Sequence, residues 1–339
     1  MLDFLPRLFP ALGLIGCMAL LCLIAVLGGP YLTDIATEAM IYTVMAVGIS
    51  IFMANSGIVS FGHVTFALVG AYASAWQTCC AGMRGVFMPG LPQFLLDSKT
   101  PVLLAALVAS LLASVVALVS GAAIMRLTGA AASIALLSLL FIVKTIYENW
   151  DSVTAGQSSL VGLPLYVDMW TAFGFASAAI VIAQVYNASS FGLLLRATRE
   201  DEAAARASGV NIWRQRLIAF VISAFVTGAG GVLYGHYLGT LAVNVFWLDM
   251  TFVTLAMVVV GGMRSLTGAV VGAFAVTGLR QTLLALERGV DLGGVSISLP
   301  SGAQEIALAV ILLLILTFRP QGLVGDNEMT WFGGARDSS

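Results

Sequence analysis

Charge is what this sequence has least of. With 15 Lys or Arg and 17 Asp or Glu among 339 residues, 9% of the chain is charged, against roughly 25% in a soluble domain. Hydrophobic residues make up 60% and mean hydropathy is +1.00, so a soluble globular enzyme is excluded: in water that apolar surface has nowhere to go. No basic stretch is dense enough to follow a nucleic-acid backbone, which excludes nucleic acid as a partner. Cysteine is scarce too: Cys17, Cys22, Cys79 and Cys80 show no C-x-x-C spacing, so they are read as apolar filler, with neither a metal or redox site nor a structural disulfide. The two histidines, His63 and His236, are too few for a metal centre. The phosphate loop G-x-x-x-x-G-K-[ST] is missing, so any ATP hydrolysis must come from another polypeptide. The paired-acid, Ser/His and H-E-x-x-H arrangements of an intramembrane protease are missing as well. The chain is not expected to be an enzyme, and it calls for no cofactor.

What is present is a series of apolar runs near 11–28, 35–54, 62–78, 101–125, 130–147, 169–186, 217–240, 250–263, 266–286 and 303–318. A bilayer span takes about 20 residues, so ten spans leave no length for a separate soluble domain. The fold class is all-α: a polytopic integral membrane protein with about ten transmembrane or partly re-entrant helices, forming one domain over 1–339. The first run ends in Leu27-Gly28-Gly29-Pro30, a poor cleavage site, and is read as a span rather than a signal peptide. The segments 62–78 and 250–263 are irregular, being bounded by glycines or too short, and suit half-helices. With the N-terminus inside, ten arginines fall on inner segments, and only Arg84, Lys99 and Arg288 fall on outer loops. That asymmetry places both termini in the cytoplasm.

The longest inner loop, 187–216, holds Arg196-Ala-Thr-Arg-Glu200, then Asp201-Glu202-Ala203-Ala204-Ala205-Arg206-Ala207-Ser208-Gly209. The spacing predicts a helix over 198–209. Thr198 is its cap, Asp201 completes a capping box, acids 200–202 complement the dipole and Gly209 supplies a left-handed stop. Its length is on the order of 15 Å. The alanines allow close approach by a partner surface; a solvated connector remains the other reading.

This loop resembles the cytoplasmic signature Arg-x-x-Glu-x-x-x-Ala-x-x-x-Gly of the permease subunits of branched-chain amino acid ABC importers, in particular the LivM-type branch. Further blocks extend the likeness over most of the chain: Asn55-Ser-Gly57 with Ser60-Phe61-Gly62-His63, Gly70-Ala71-Tyr72, Asn149-Trp150-Asp151 with Gly162-Leu-Pro164, Val260-Gly261-Gly262, and Phe318-Arg319-Pro320-Gln321-Gly322-Leu323. One departure is Arg264, where relatives more often carry a small or apolar residue. The resemblance implies an ABC-importer permease fold. It also implies a second homologous permease subunit, two cytoplasmic ATP-binding subunits, and a periplasmic or extracellular solute-binding protein. Residues 187–216 become the coupling loop, with Arg196, Arg199, Glu200, Glu202, Ala204 and Gly209 as its ATPase-coupling residues. The expected cargo is Leu, Ile or Val, or a related small polar solute such as urea, an amide or a carboxylate, crossing the bacterial inner membrane. The competing class is an ion-coupled secondary transporter, which needs acids deep in spans; Glu38 and Glu305 read as lying near span ends.

Several intramembrane residues are candidate pathway or gating groups. Asn55, Ser60 and His63 stand at a broken helix, where they either line a route or only satisfy freed backbone groups. Gly261 and Gly262 are expected to loosen the short eighth segment for gating. Arg280, deep in the ninth run, either lines the pathway or pairs with another subunit, whereas Lys144 is expected to snorkel to the outer surface. Glycines at 231, 235 and 239, and at 268 and 272, are assigned to helix packing.

Overall fold

The computed structural model describes residues 5–79, 84–96, 100–292, 295–297, 300, 302–319 and 321–325. The apolar runs become helices, and flanking Gly, Pro and polar residues end them. In chain order they are α1 Leu5–Leu27, α2 Pro30–Ser56, α3 Val64–Thr78, the single turns α4 Arg84–Phe87 and α5 Gln93–Leu96, α6 Val102–Ile124, α7 Gly129–Glu148, the turn α8 Asp151–Thr154, α9 Met169–Ala188, α10 Ser190–Glu200, α11 Glu202–Ala207, α12 Ile212–Leu238, α13 Leu248–Gly261, α14 Leu266–Arg288 and α15 Ala303–Phe318. Strand content is slight: Leu160 pairs with Leu241 and Val161 with Thr240, and a hairpin joins Val290–Leu292 to Val295–Ile297.

Eight helices among the described residues are long and apolar enough to cross a membrane, α13 counting together with the 3-10 turn that precedes it. The shorter α3 and α15, of 15 and 16 residues, bring the apolar helices to the ten that the runs suggest. Of the two irregular segments, α3 is enclosed by protein on nearly every side, the setting in which a short element is tolerated at membrane depth.

The bundle is built around α2 and α12. The side chains of α2 are buried almost continuously from Ala36 to Ser56, and α12 lies against α2, α3 and α6. Small residues set these contacts, because helices in lipid gain by bringing backbones together. A Cβ on Gly48 would stand 2.5 Å from Thr227 Oγ1, one on Gly70 2.3 Å from the Gly228 carbonyl, and one on Gly231 2.0 Å from the Ala67 carbonyl. Gly239 departs from the packing assignment: at φ +69° it is the left-handed cap of α12, its N–H bonded to Gly235 O, and its carbonyl accepts from Gly162 and Leu163.

Polar residues between helices are satisfied locally. His236 of α12 donates from Nδ1 to Pro164 O (3.0 Å), and its Nε2 lies 2.8 Å from Ser74 Oγ of α3. Arg84, expected as a loop charge, is buried and donates to the carbonyls of Gln77, Cys79 and Leu95 at 2.6–2.7 Å, covering the otherwise open C-terminal end of α3. Lys144 is paired: Nζ is 2.6 Å from Glu148, one turn on at the end of α7, and 4.2 Å from the Trp247 ring centre. Cys79 is disulfide-bonded, against the expectation of apolar filler throughout, while Cys17 and Cys22 are free; Cys80 lies outside the described residues.

Candidate functional site

Two regions gather the candidate residues. The first is the loop between α9 and α12. The helix expected over 198–209 is in fact two. Ser189 caps α10, its Oγ accepting from Gly192 N–H, and Thr198 is buried inside that helix with its hydroxyl on Leu195 O. The chain breaks at Asp201, whose extended backbone (φ −151°) ends α10 while its carboxylate caps α11 by accepting from Ala203 and Ala204 N–H at 2.8 and 3.0 Å. Asp wins the capping role over Thr because an ionised acceptor also complements the dipole. The resulting helix is six residues long, about 9 Å rather than 15 Å.

Its end is as the sequence requires. Gly209 has φ +82°, its N–H bonds Arg206 O and Val210 N–H bonds Ala205 O, the paired closure that needs a left-handed residue. Ala203, Ala204 and Ala207 are exposed and Ala205 is buried, leaving a flat, small-residue face outward.

The charged residues of this segment bind the chain's own body. Arg196 Nη2 donates to Asn187 O at the end of α9 (2.6 Å). Arg199 Nη1 donates to Ala54 O near the end of α2 (2.5 Å), with its stem against Gly57, where a Cβ would stand 2.8 Å from Arg199 Cγ. Arg199 Nε and Nη2 also reach Glu200 Oε1 at 3.0 and 2.7 Å, and these bonds and the guanidinium charge hold the exposed Glu200 carboxyl below the usual carboxylate range. Glu202 pairs with the buried Arg216 of α12, and more loosely with Arg206 at 3.7 Å. Arg216 in turn donates to Leu127 O between α6 and α7. The segment is thus fastened to α2, α9 and α12. Beside it lies a cavity of about 440 Å³ lined by Met53, Ala54, Gly57, Arg199, Met263, Arg264 and Gln321.

Nearby, Asn55 Nδ2 donates to Ile51 O (2.8 Å) and Asn187 Oδ1 (2.9 Å), linking α2 to the end of α9. Ser60 and His63 do not reach that cavity. His63 is buried, its Nδ1 bonded to Ser60 Oγ. Its ring centre lies 5.5–5.8 Å from those of Phe52, Phe66 and Phe220. Gly261 and Gly262 stand in a tight crossing: a Cβ on Gly261 would be 1.8 Å from Gly268 O, and Leu323 and Val324 N–H close the carbonyls of Val260 and Gly261 at the end of α13. Tight backbone contact replaces the expected looseness.

The second region lies within the bundle. Arg280 of α14 donates from Nη1 to Tyr42 Oη (2.9 Å) and stands 3.4 Å from Glu38 Oε1, while Gln281 Nε2 bonds the other Glu38 oxygen. Within the chain, the partner of Arg280 is therefore on α2. Sequence reading placed Glu38 near a span end because the apolar run starts at 35. Pro30, a strong first-turn residue after Gly28-Gly29, was the signal that α2 begins earlier and carries Glu38 two turns deep.

A long, almost wholly helical bundle with these blocks in order has known counterparts. The model of the branched-chain amino acid transport system permease component matches residues 31–318. The chain belongs to that permease family. It is 25% identical to the high-affinity branched-chain amino acid transport system permease protein LivM of Salmonella typhimurium, over 86% of this chain and 69% of LivM. To LivH of the same organism it is 22% identical, over 85% of this chain and 92% of LivH. To the nucleoside ABC transporter permease protein NupC of Lactococcus lactis it is 25% identical, over 83% and 90%. As a member of this ABC permease family the chain is a multi-pass membrane protein and not an enzyme.

Proposed function

We propose that this permease forms one half of the translocation path of an ABC importer, with α10 and α11 as the element that receives motion from an ATP-binding subunit. The observation that carries the reading is the segment's construction: an outward face of Ala203, Ala204 and Ala207 on a short helix, fastened to three spans through Arg196, Arg199 and Glu202. A push on that face is delivered to α2, α9 and α12 together, because the bonds that hold it are charge-assisted. Arg196, Arg199 and Glu202 transmit within the chain, and Ala204, Glu200 and Gly209 form or shape the docking face. The partners are a second permease, two ATP-binding subunits and an external solute-binding protein. Both termini are cytoplasmic on the ten-to-three distribution of basic residues.

The cargo is a small polar solute, with leucine, isoleucine and valine first. The ion-coupled alternative is not favoured, because the family is one of transport-system permease components and the similar proteins include an ABC transporter permease. Ala204→Trp tests the reading. The residue is exposed, so the chain should insert and accumulate normally while the ATP-binding subunits no longer co-purify. Full co-purification with the tryptophan in place refutes docking at this face.

A further inference from the structure

Glu38 and Arg280 each lie eight residues from the neighbouring helix ends Pro30 and Arg288, about 12 Å into the bundle at 1.5 Å per residue. Their side chains are 12% and 31% exposed. A charge at that depth does not face acyl chains; it faces protein or a wet cavity. The arginine is also under-used. Of its five N–H donors, only those of Nη1 have partners among the described residues, namely Tyr42 Oη and the distant Glu38 oxygen. The edge made by Nε and Nη2 is open, and it is the edge whose planar fork matches a carboxylate bidentately. The 3.4 Å separation from Glu38 is long for a charge-assisted bond, which runs about 2.7–2.9 Å, so the pair is not closed on itself.

We propose that Glu38 and Arg280 form a recognition station for a zwitterionic α-amino acid in the translocation path. The solute's carboxylate takes the open Nε–Nη2 edge of Arg280. Its ammonium is held by the Glu38 carboxylate beside the Tyr42 and Tyr234 rings, whose centres are 6.0 Å apart. Opposite charges a few ångströms apart select a solute carrying both, and leave a neutral nucleoside or urea without a partner for either charge. This rests on the importer reading and sharpens its substrate class.

The test uses the assembled importer in proteoliposomes with its binding protein and radiolabelled leucine. Arg280→Gln and Glu38→Gln should each lower uptake at least tenfold, and Arg280→Lys, which keeps the charge and loses the fork, should restore only part of it. Lys144→Gln, a charge whose partners are Glu148 and Trp247 rather than Glu38 or Arg280, should stay within twofold of the parent. The neutral pair Glu38→Gln with Arg280→Gln separates recognition from a structural lock, since two amides still bond each other. A double variant that co-purifies with the ATP-binding subunits and remains inactive supports the station. Recovery of leucine uptake in the double variant, or normal uptake in Arg280→Gln, overturns it. So does a parent complex that carries adenosine in place of leucine. Failure of the ATP-binding subunits to assemble with the parent chain would instead remove the importer reading beneath it.

Discussion

The crossing of α13 and α14 offers the sharpest structural test, because the geometry fixes both the sign and the size of the effect. A methyl group added at Gly261 would sit 1.8 Å from Gly268 O, and one at Gly272 1.8 Å from Met257 O. Restoring ordinary contact near 3.5 Å requires the two backbones to part by about 1.7 Å, and forced overpacking of this kind costs about 1–3 kcal/mol. Separation would also strain the closure of Val260 and Gly261 by Leu323 and Val324, at 2.7 and 3.0 Å. Gly278, on the same α14, has nothing within 4 Å of its Cβ position, so Gly278→Ala should be neutral or stabilising by up to about 1 kcal/mol through helix propensity. The assay is the apparent unfolding midpoint of the purified complex in detergent, Gly261→Ala against Gly278→Ala. A clear drop for the first and none for the second is expected. Equal midpoints would refute the claim that these glycines serve close packing, and would revive a flexible role for the pair.

Other perturbations have equally definite outcomes. Glu202→Gln should leave the buried Arg216 charge without its counter-ion, and the loss, below the roughly 3–5 kcal/mol of a fully buried pair because Glu202 is 36% exposed, should be largely rescued by Arg216→Gln; absence of rescue would point to an outside partner for the acid. Arg84→Met should remove the guanidinium from the carbonyls of Gln77 and Cys79 at the end of α3 and of Leu95 in α5 and lower stability by about 2–3 kcal/mol, read as an increased fraction of aggregated protein on size exclusion; unchanged behaviour would deny the capping role. Cysteines placed at Ser158 and Ala207 should be labelled by an impermeant maleimide from outside and inside the cell, respectively. Labelling of both from one face would overturn the topology.

The helices were legible because each crossing needs an uninterrupted apolar run, and Gly or Pro marks most of the ends, as at Gly28-Gly29-Pro30 and Gly239. The left-handed stop at Gly209 was legible for the same local reason. The break at Asp201 was not: Thr198 and Asp201 both suit a cap by spacing, and the choice fell to the residue whose carboxylate reaches two amides while Thr198 is buried. Pairings across the bundle were also hidden. Nothing near Glu38 in sequence announces Arg280, and nothing near Arg199 announces the carbonyl of Ala54, because those contacts follow from how α2 meets α14 and α10. His63 shows what sequence leaves open. A histidine beside Gly62 reads either as a pathway residue or as one that satisfies freed groups at a broken helix; Phe52, Phe66 and Phe220 surround it, and those aromatics are indistinguishable in sequence from ordinary apolar filler.

Crosslinking from the exposed face of α11 tests the central claim most directly. A photoreactive or thiol-specific probe on Ala204→Cys in the assembled complex should form an adduct with an ATP-binding subunit, and the yield should change with the nucleotide state. The same probe on Ser158→Cys should form none. No adduct from position 204, or equal adducts from both positions, would contradict the account in which this short helix carries motion from the ATP-binding subunits into the membrane.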